Sequence, residues 1–189
     1  MKSFLLSSVA FLFCFFSYSQ YHNEPSKDFP FGKAHPDAPK ELMDFQPLIG
    51  KSNCKSSTRN QDGSWAESID MLWIFKYIMD GKAIQDETLK SDGGHSGSIR
   101  QFNTDSSKWY VHYYSSGGVP KTLPSWEGSK TEKGTIVLYR EQKAPNGTDG
   151  FFRLTFYDMS NTGYKWVGEW VDKKETIVYP TWKISCIKE

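Results

Sequence analysis

The residue that most needs explaining in this chain is a carboxylate set among rings. Met71-Leu-Trp-Ile-Phe-Lys-Tyr-Ile-Met79 runs into Asp80-Gly81 and then into Lys82-Ala-Ile-Gln-Asp-Glu-Thr88. With Asp80 and Gly81 as the two loop residues of a hairpin, Tyr77 faces Ile84, Phe75 faces Asp86 and Trp73 faces Thr88, all on one face. The opposite face, with Ile74, Lys76, Ile78, Ala83, Gln85 and Glu87, is more polar, so the aromatic face is the one expected inside. A carboxylate there must be paired, hydrogen-bonded or neutralised, because stranding it costs several kcal/mol. Asp86 is thus a ligand-orienting group, an acid or base, or half of an internal ion pair, with Arg153 and Arg100 as candidate counter-charges.

Further alternation places Trp109, Val111 and Tyr113 on one face of one segment, and Tyr164, Trp166, Gly168 and Trp170 on one face of another, with Trp182 and Ile184 near the end. Aromatic residues are 16% of the chain, so rings must supply much of its apolar interior. They either fill that interior or line a cavity with a few polar groups, the usual make-up of a small-molecule pocket. The candidate ligand-binding set is Trp73, Phe75, Tyr77, Trp109, Tyr113 and Trp166 as walls, with Asp86, Thr88 and Arg153 as its polar groups.

Other chemistries find little support, and no residue pattern assigns a catalytic group. No His-x-x-x-His, Cys-x-x-Cys or acidic calcium loop is present, so no metal site is expected. Haem would need an inward axial ligand such as His112, which the alternation puts on the face opposite Trp109 and Tyr113; no cofactor is expected. Gly93-Gly-His-Ser-Gly97 lacks the helix that phosphate-cradling and nucleophile motifs require and reads as a flexible hairpin turn.

These residues are positioned by strands. After Gly50 the hydrophobic period is two, with strands expected at 51–58, 66–79, 82–90, 97–103, 108–115, 119–131, 134–141, 151–158, 163–171 and 175–187, separated by turn chemistry such as Asp92-Gly93-Gly94 and Asn161-Thr162-Gly163. Every connection is too short for a parallel crossover, so the sheet is antiparallel and next-neighbour. Closure removes its two edges and sets the first strand beside the last, giving an all-β, closed, up-and-down barrel of about ten strands; a two-sheet sandwich is the rival. Leu42, Met43, Phe45, Leu48 and Ile49 are spaced for a short helix that Pro47 limits, and residues 20–40, with Pro25, Pro30, Pro36 and Pro39, form an extended lead-in on the surface.

The chain starts with Lys2, an apolar run from Phe4 to Phe16 and Ser17-Tyr-Ser-Gln20, the pattern of a signal peptide cleaved after Ser19. Domain limits are thus 1–19 for the leader, 20–40 for the lead-in and 41–189 for the barrel, and the mature protein is expected to be secreted or periplasmic, with no membrane association after cleavage. Removing Lys2 leaves 22 Lys and Arg against 22 Asp and Glu with no basic block, so no nucleic-acid partner is expected. Losing Cys14 leaves Cys54 and Cys186 in an oxidising compartment, where they are expected to pair; two buried free thiols are the alternative.

Phe45-Gln-Pro-Leu-Ile-Gly50, Asp62-Gly-Ser-Trp65, the Trp73-x-Phe75…Met79-Asp-Gly-Lys-Ala-Ile-Gln-Asp86 hairpin, Trp109 and Tyr164-x-Trp166-x-Gly168-Glu169 together resemble an uncharacterised bacterial family of calycin-like (lipocalin-like) barrels, a domain-of-unknown-function group, over most of 41–189. The family usually carries tryptophan two residues after the glycine that opens the first strand, where this chain has Ser52, so no barrel-floor role transfers to that position. The resemblance implies a closed meander with a central cavity and brings no catalytic residues. The expected function is binding of a small, partly apolar molecule inside the barrel, with Asp86 and Arg153 orienting its polar end. The alternatives are an enzyme using Asp86 on a small exported substrate and a structural or interaction barrel filled by its own rings.

Overall fold

The computed structural model describes residues 21–189; the expected leader, with Cys14, lies outside the described residues. Ten strands close into one antiparallel barrel in the order β1-β10-β9-β8-β7-β6-β5-β4-β3-β2. They are β1 (Gly50–Thr58), β2 (Ile69–Ile78), β3 (Ala83–Lys90), β4 (His95–Asn103), β5 (Lys108–Ser115), β6 (Ser125–Lys130), β7 (Ile136–Glu141), β8 (Gly150–Tyr157), β9 (Gly163–Asp172) and β10 (Val178–Lys188). The sandwich alternative is thereby excluded. The register of the β2–β3 hairpin is the expected one, with Tyr77 opposite Ile84, Phe75 opposite Asp86 and Trp73 opposite Thr88.

Several strand limits differ from expectation for identifiable reasons. β6 begins at Ser125 rather than 119, because Pro120 and Pro124 have no N–H to give a ladder; the Pro124 carbonyl instead accepts from Tyr113 N at 2.9 Å. β4 begins two residues earlier than the expected 97, at His95, so His95 and Ser96 belong to a strand and not to a flexible turn. β10 contains Pro180 and absorbs it with a register shift between Pro180 and Trp182.

The two ends of the barrel differ. A nine-residue 3₁₀ segment, Lys40–Leu48, lies across the end where β1 begins, and it buries Leu42, Phe45 and Leu48. Pro47 sits inside this segment near its end, consistent with the short helix expected there. Phe45 packs edge-on against Trp109 and Phe156, at centroid distances of 4.9 and 5.7 Å. Lys188 Nζ, near the end of β10, donates to the carbonyls of Pro47 and Ile49 at 2.9 and 2.7 Å and ties the plug to the closing strand.

The lead-in is anchored at this same end. Asn23 is buried and donates from both its backbone N and its Nδ2 to Asp80 Oδ1 at 3.0 Å, in the β2–β3 turn. His35 N donates to the Gly81 carbonyl and Tyr77 N to the Phe31 carbonyl, at 3.0 and 2.8 Å. Gly81 has φ +77°, and a Cβ there would stand 2.3 Å from the Lys33 carbonyl, so only glycine lets the lead-in lie so close. Residues 21–39 are therefore a clasp on the plugged end, not a free extension. Among the described residues no helix is long and apolar enough to cross a membrane.

Closure brings Cys54 opposite Cys186, with Cα atoms 4.1 Å apart and a disulfide between them. Both are buried, alternating along their strands with exposed Asn53, Lys55, Ser185 and Ile187, so the bond lies on the inner face of the seam that closes the barrel. Replacing both cysteines by alanine is expected to lower the unfolding free energy by about 4 kcal/mol, as loop-closure entropy gives for so long a loop. Urea unfolding of the oxidised protein and the double variant measures this; equal midpoints would show that the seam holds without the bond.

Candidate functional site

The barrel interior is divided by a buried ion pair. Asp86 on β3 and Arg100 on β4 are 4% and 3% exposed. Arg100 NH1 and Ser98 Oγ both donate to Asp86 Oδ1, and Trp73 Nε1 donates to Oδ2 at 2.6 Å. Each oxygen of the carboxylate is therefore engaged, as a buried charge requires. The Arg100 guanidinium lies over the rings of Phe45, Phe75 and Phe156 at 5.1, 5.0 and 5.7 Å, the faces toward which a cation is drawn.

Local sequence makes this arrangement reachable. Ser96, Ser98 and Arg100 alternate inward along β4, and Asp86 is register partner to Ser98. Gly97 points outward beneath Tyr114, where a Cβ would meet the Asp86 carbonyl at 2.4 Å and Tyr114 Oη at 2.6 Å. Glycine thus allows β4 to lie tight against β3 at the level of the ion pair.

On the plugged side of the pair the interior is filled by Phe45, Phe75, Trp109 and Phe156. On the other side is a cavity of about 310 Å³, lined by Trp73, Asp86, Thr88, Ser96, Ser98, Arg100, Val111, Tyr113, Pro124, Trp126, Arg140, Phe152, Leu154, Trp166, Trp182 and Ile184. Half-buried Tyr113, Pro124, Arg140, Phe152, Leu154 and Trp182 stand toward the barrel end opposite the 3₁₀ plug, which is the mouth. The rings form a belt of edge contacts: Tyr113 with Trp126 and Trp126 with Phe152 at 6.3 Å, and Trp166 with Trp182 at 5.1 Å. Gly168 makes room for it, since a Cβ there would meet Trp166 at 2.8 Å and Phe152 at 3.0 Å.

The polar groups of the belt are mostly spoken for. Thr88 Oγ1 and Ser96 Oγ share a hydrogen bond of 2.6 Å, Trp126 Nε1 donates to the Phe152 carbonyl at 3.1 Å, and Trp182 Nε1 donates to Ser56 Oγ at 2.8 Å. Among the described residues three buried side-chain polar atoms have no protein partner: Ser52 Oγ, Tyr164 Oη and Arg100 Nε. Such atoms mark places where water or a ligand group is accommodated. Burial pushes the Tyr164 hydroxyl well above the usual tyrosine range, so it stays protonated, with Ser52 beside it but not in good hydrogen-bond geometry.

The candidate set divides accordingly. Trp73, Asp86, Thr88, Tyr113 and Trp166 line the cavity. Phe75, Tyr77 and Trp109 are buried but lie outside it. Trp109 also gives its Nε1–H to Asp44 at 3.2 Å, and Tyr77 lies by the lead-in. Arg153 is not the partner of Asp86: it donates to Glu169 at 2.8 Å and to Glu175, on the outer face of β8. Burial works against its charge, yet Glu169 and Glu175 outweigh that and hold it above its ordinary value. His112 likewise faces away from the cavity, its Nδ1 2.7 Å from Ser125 Oγ. The lining residues not anticipated as ligand-binding include Ser96, Ser98, Trp126, Arg140, Phe152 and Leu154. Arg140, Phe152 and Leu154 follow the same inward alternation as Leu138 and Phe156, a signal present in the sequence.

A closed ten-stranded meander with a plugged end and a ring-lined cavity defines a calycin-type, lipocalin-like barrel. The chain is similar to the crystal structure of Rv2717c from M. tuberculosis, with a TM-score of 0.53 and 10% identity over 81% of this chain and 99% of that one. It also aligns with the S-type phycobiliprotein lyase CPES from Guillardia theta, at a TM-score of 0.48 and 9% identity over 80% of this chain and 98% of that one. At such identities the likeness concerns the fold alone. No protein-family sequence model matches the chain, and no curated protein matches it.

Removing one partner of the ion pair leaves the other buried and uncompensated, so Asp86→Ala is expected to destabilise the barrel by about 3–5 kcal/mol. Asp86→Ala combined with Arg100→Met should recover most of that loss, since the two charges leave together. Denaturant titration of the three proteins checks both, and a single variant as stable as the parent would mean that Arg100 finds water or another acceptor.

Proposed function

We propose that this chain is an exported barrel that binds a small, partly apolar molecule in the mouth-side cavity. The observation that carries the reading is that cavity: about 310 Å³, lined mainly by apolar side chains, six of them aromatic, and closed below by a buried ion pair. That volume falls at the lower end of the range for small-molecule sites, about 300–1,000 Å³, so the molecule is small. An interior filled by its own side chains would leave no such space, which weighs against a purely structural barrel. Export rests on the leader-like first 19 residues and agrees with the Cys54–Cys186 bond, since disulfides persist in secreted and periplasmic proteins.

The enzyme reading relies on Asp86, and its surroundings speak against that role. A general acid or base needs a free oxygen within reach of the substrate. Both oxygens of Asp86 already accept hydrogen bonds from Trp73, Ser98 and Arg100. The pair is better suited to fixing the cavity floor than to moving a proton.

Native mass spectrometry of the mature protein isolated from its own compartment should find a bound small molecule that is lost on unfolding. Its re-addition should change the fluorescence of Trp73, Trp126, Trp166 and Trp182, which line the cavity. Leu154→Trp, which fills the same space, should reduce retention at least tenfold. Equal retention by the parent and the filled variant would place the molecule elsewhere and sink the reading.

A further inference from the structure

We infer that the molecule taken by this cavity is an aromatic carboxylic acid, its flat body between the rings and its carboxylate on Arg140 at the mouth. The inference rests on the binding reading above and adds the chemical class of the ligand. The chain has four arginines. Arg100 pairs with Asp86, Arg153 pairs with Glu169 and Glu175, and Arg59 donates to the carbonyls of Gly63 and Pro180. Arg140 lines the cavity, and among the described residues it pairs with no carboxylate.

Arg140 is nevertheless held in position. Its guanidinium lies 4.4 Å from the centroid of Trp126, and NH2 donates to Gln142 Oε1 at 2.6 Å. The Trp126 ring is itself fixed by its bond to the Phe152 carbonyl, and Phe152 is the register partner of Arg140 on β8. A planar fork of donors, oriented by a ring and an amide but left with N–H groups over, matches a carboxylate better than a point charge would. Burial disfavours this guanidinium's charge, pushing it below its ordinary value, and an incoming anion would offset that cost. A second cation lies on another ring of the cavity: Lys90 Nζ is 4.5 Å from the centroid of Trp182, and it too has no ion-pair partner among the described residues.

The opposite orientation is disfavoured at the floor. The charges of Asp86 and Arg100 cancel each other, and an anion placed there would meet the Asp86 carboxylate. The belt favours an aromatic body: Tyr113, Trp126, Phe152, Trp166 and Trp182 line the cavity and meet one another edge-on, so a flat ring placed there is met by ring surface.

The test compares naphthylacetate with naphthylethanol, its uncharged counterpart, by calorimetry on the mature protein, with decanoate as an acid lacking a ring. The acid is expected to bind about tenfold tighter than the alcohol, the ratio that one charge-assisted hydrogen-bond pair supplies. The preference should shrink with added salt, and naphthylacetate should also bind more tightly than decanoate. Arg140→Gln should bring the acid-to-alcohol ratio toward one, and Arg140→Lys should keep part of it. If both ligands bind equally, or if Arg140→Gln retains the acid preference, the acid inference falls while the binding reading stands. If decanoate binds as well as naphthylacetate, the aromatic part of the inference falls. If neither naphthyl compound nor decanoate binds, the cavity does not take small apolar bodies, and both readings fall together.

Discussion

The interior of this barrel depends on one buried ion pair. Asp86 and Arg100 stand on adjacent strands within a few residues of the barrel's mid-height, and neither reaches bulk water. Two such charges are tolerable in a low-dielectric interior only if each is matched by the other and by further hydrogen bonds. Trp73, Ser98 and the three rings beneath Arg100 supply that matching. The need fixes the register of β2, β3 and β4, since a slip of one residue would turn Asp86 to solvent and leave Arg100 alone among phenylalanines.

What lies on either side of the pair follows from it. Below, the rings that receive the guanidinium must be packed tightly, and the 3₁₀ segment provides Phe45 to complete them. Ser52, two residues into β1, is fully buried, and Phe45 and Trp109 occupy the closed end. Above, Ser96, Ser98 and Thr88 are short inward side chains, and the cavity lies over them. The lead-in secures the filled end through Asn23, Phe31 and His35, leaving the mouth uncovered by this segment.

Much of this was legible in the sequence because a barrel's parity is stringent. The hairpin from Met71 to Thr88 carries a two-residue turn and an unbroken alternation, so its register and the inward aim of Asp86 could be read directly, as could the meeting of Cys54 and Cys186 once closure was inferred. The choice of Arg153 over Arg100 went astray at β8, where Phe-Phe-Arg-Leu-Thr-Phe-Tyr has an aromatic residue in both parities. The deciding detail is that Phe152, Leu154 and Phe156 are all apolar, whereas the other parity includes Arg153 and Thr155. Glu169, opposite Arg153 on β9, marks that parity as the outer one. Trp109 and Phe75 were correctly turned inward, but parity gives the face of a residue and not its height along the barrel. Their place below the ion pair depends on the docking of the 3₁₀ segment, a contact between distant parts of the chain.

Height along the barrel is also what separates the two inward arginines. Arg100 and Arg140 both sit on interior faces and both lie against aromatic rings. Arg100 is deep, so its charge had to be cancelled within the protein for the chain to fold. Arg140 is half-buried at the rim, where water keeps an uncancelled guanidinium tolerable, and its burial cost stays modest. A charge left open where folding permits it, beside a cavity lined mainly by apolar side chains, is a feature that stability alone does not call for. The deep pair serves the fold, and the rim cation is free to serve a ligand.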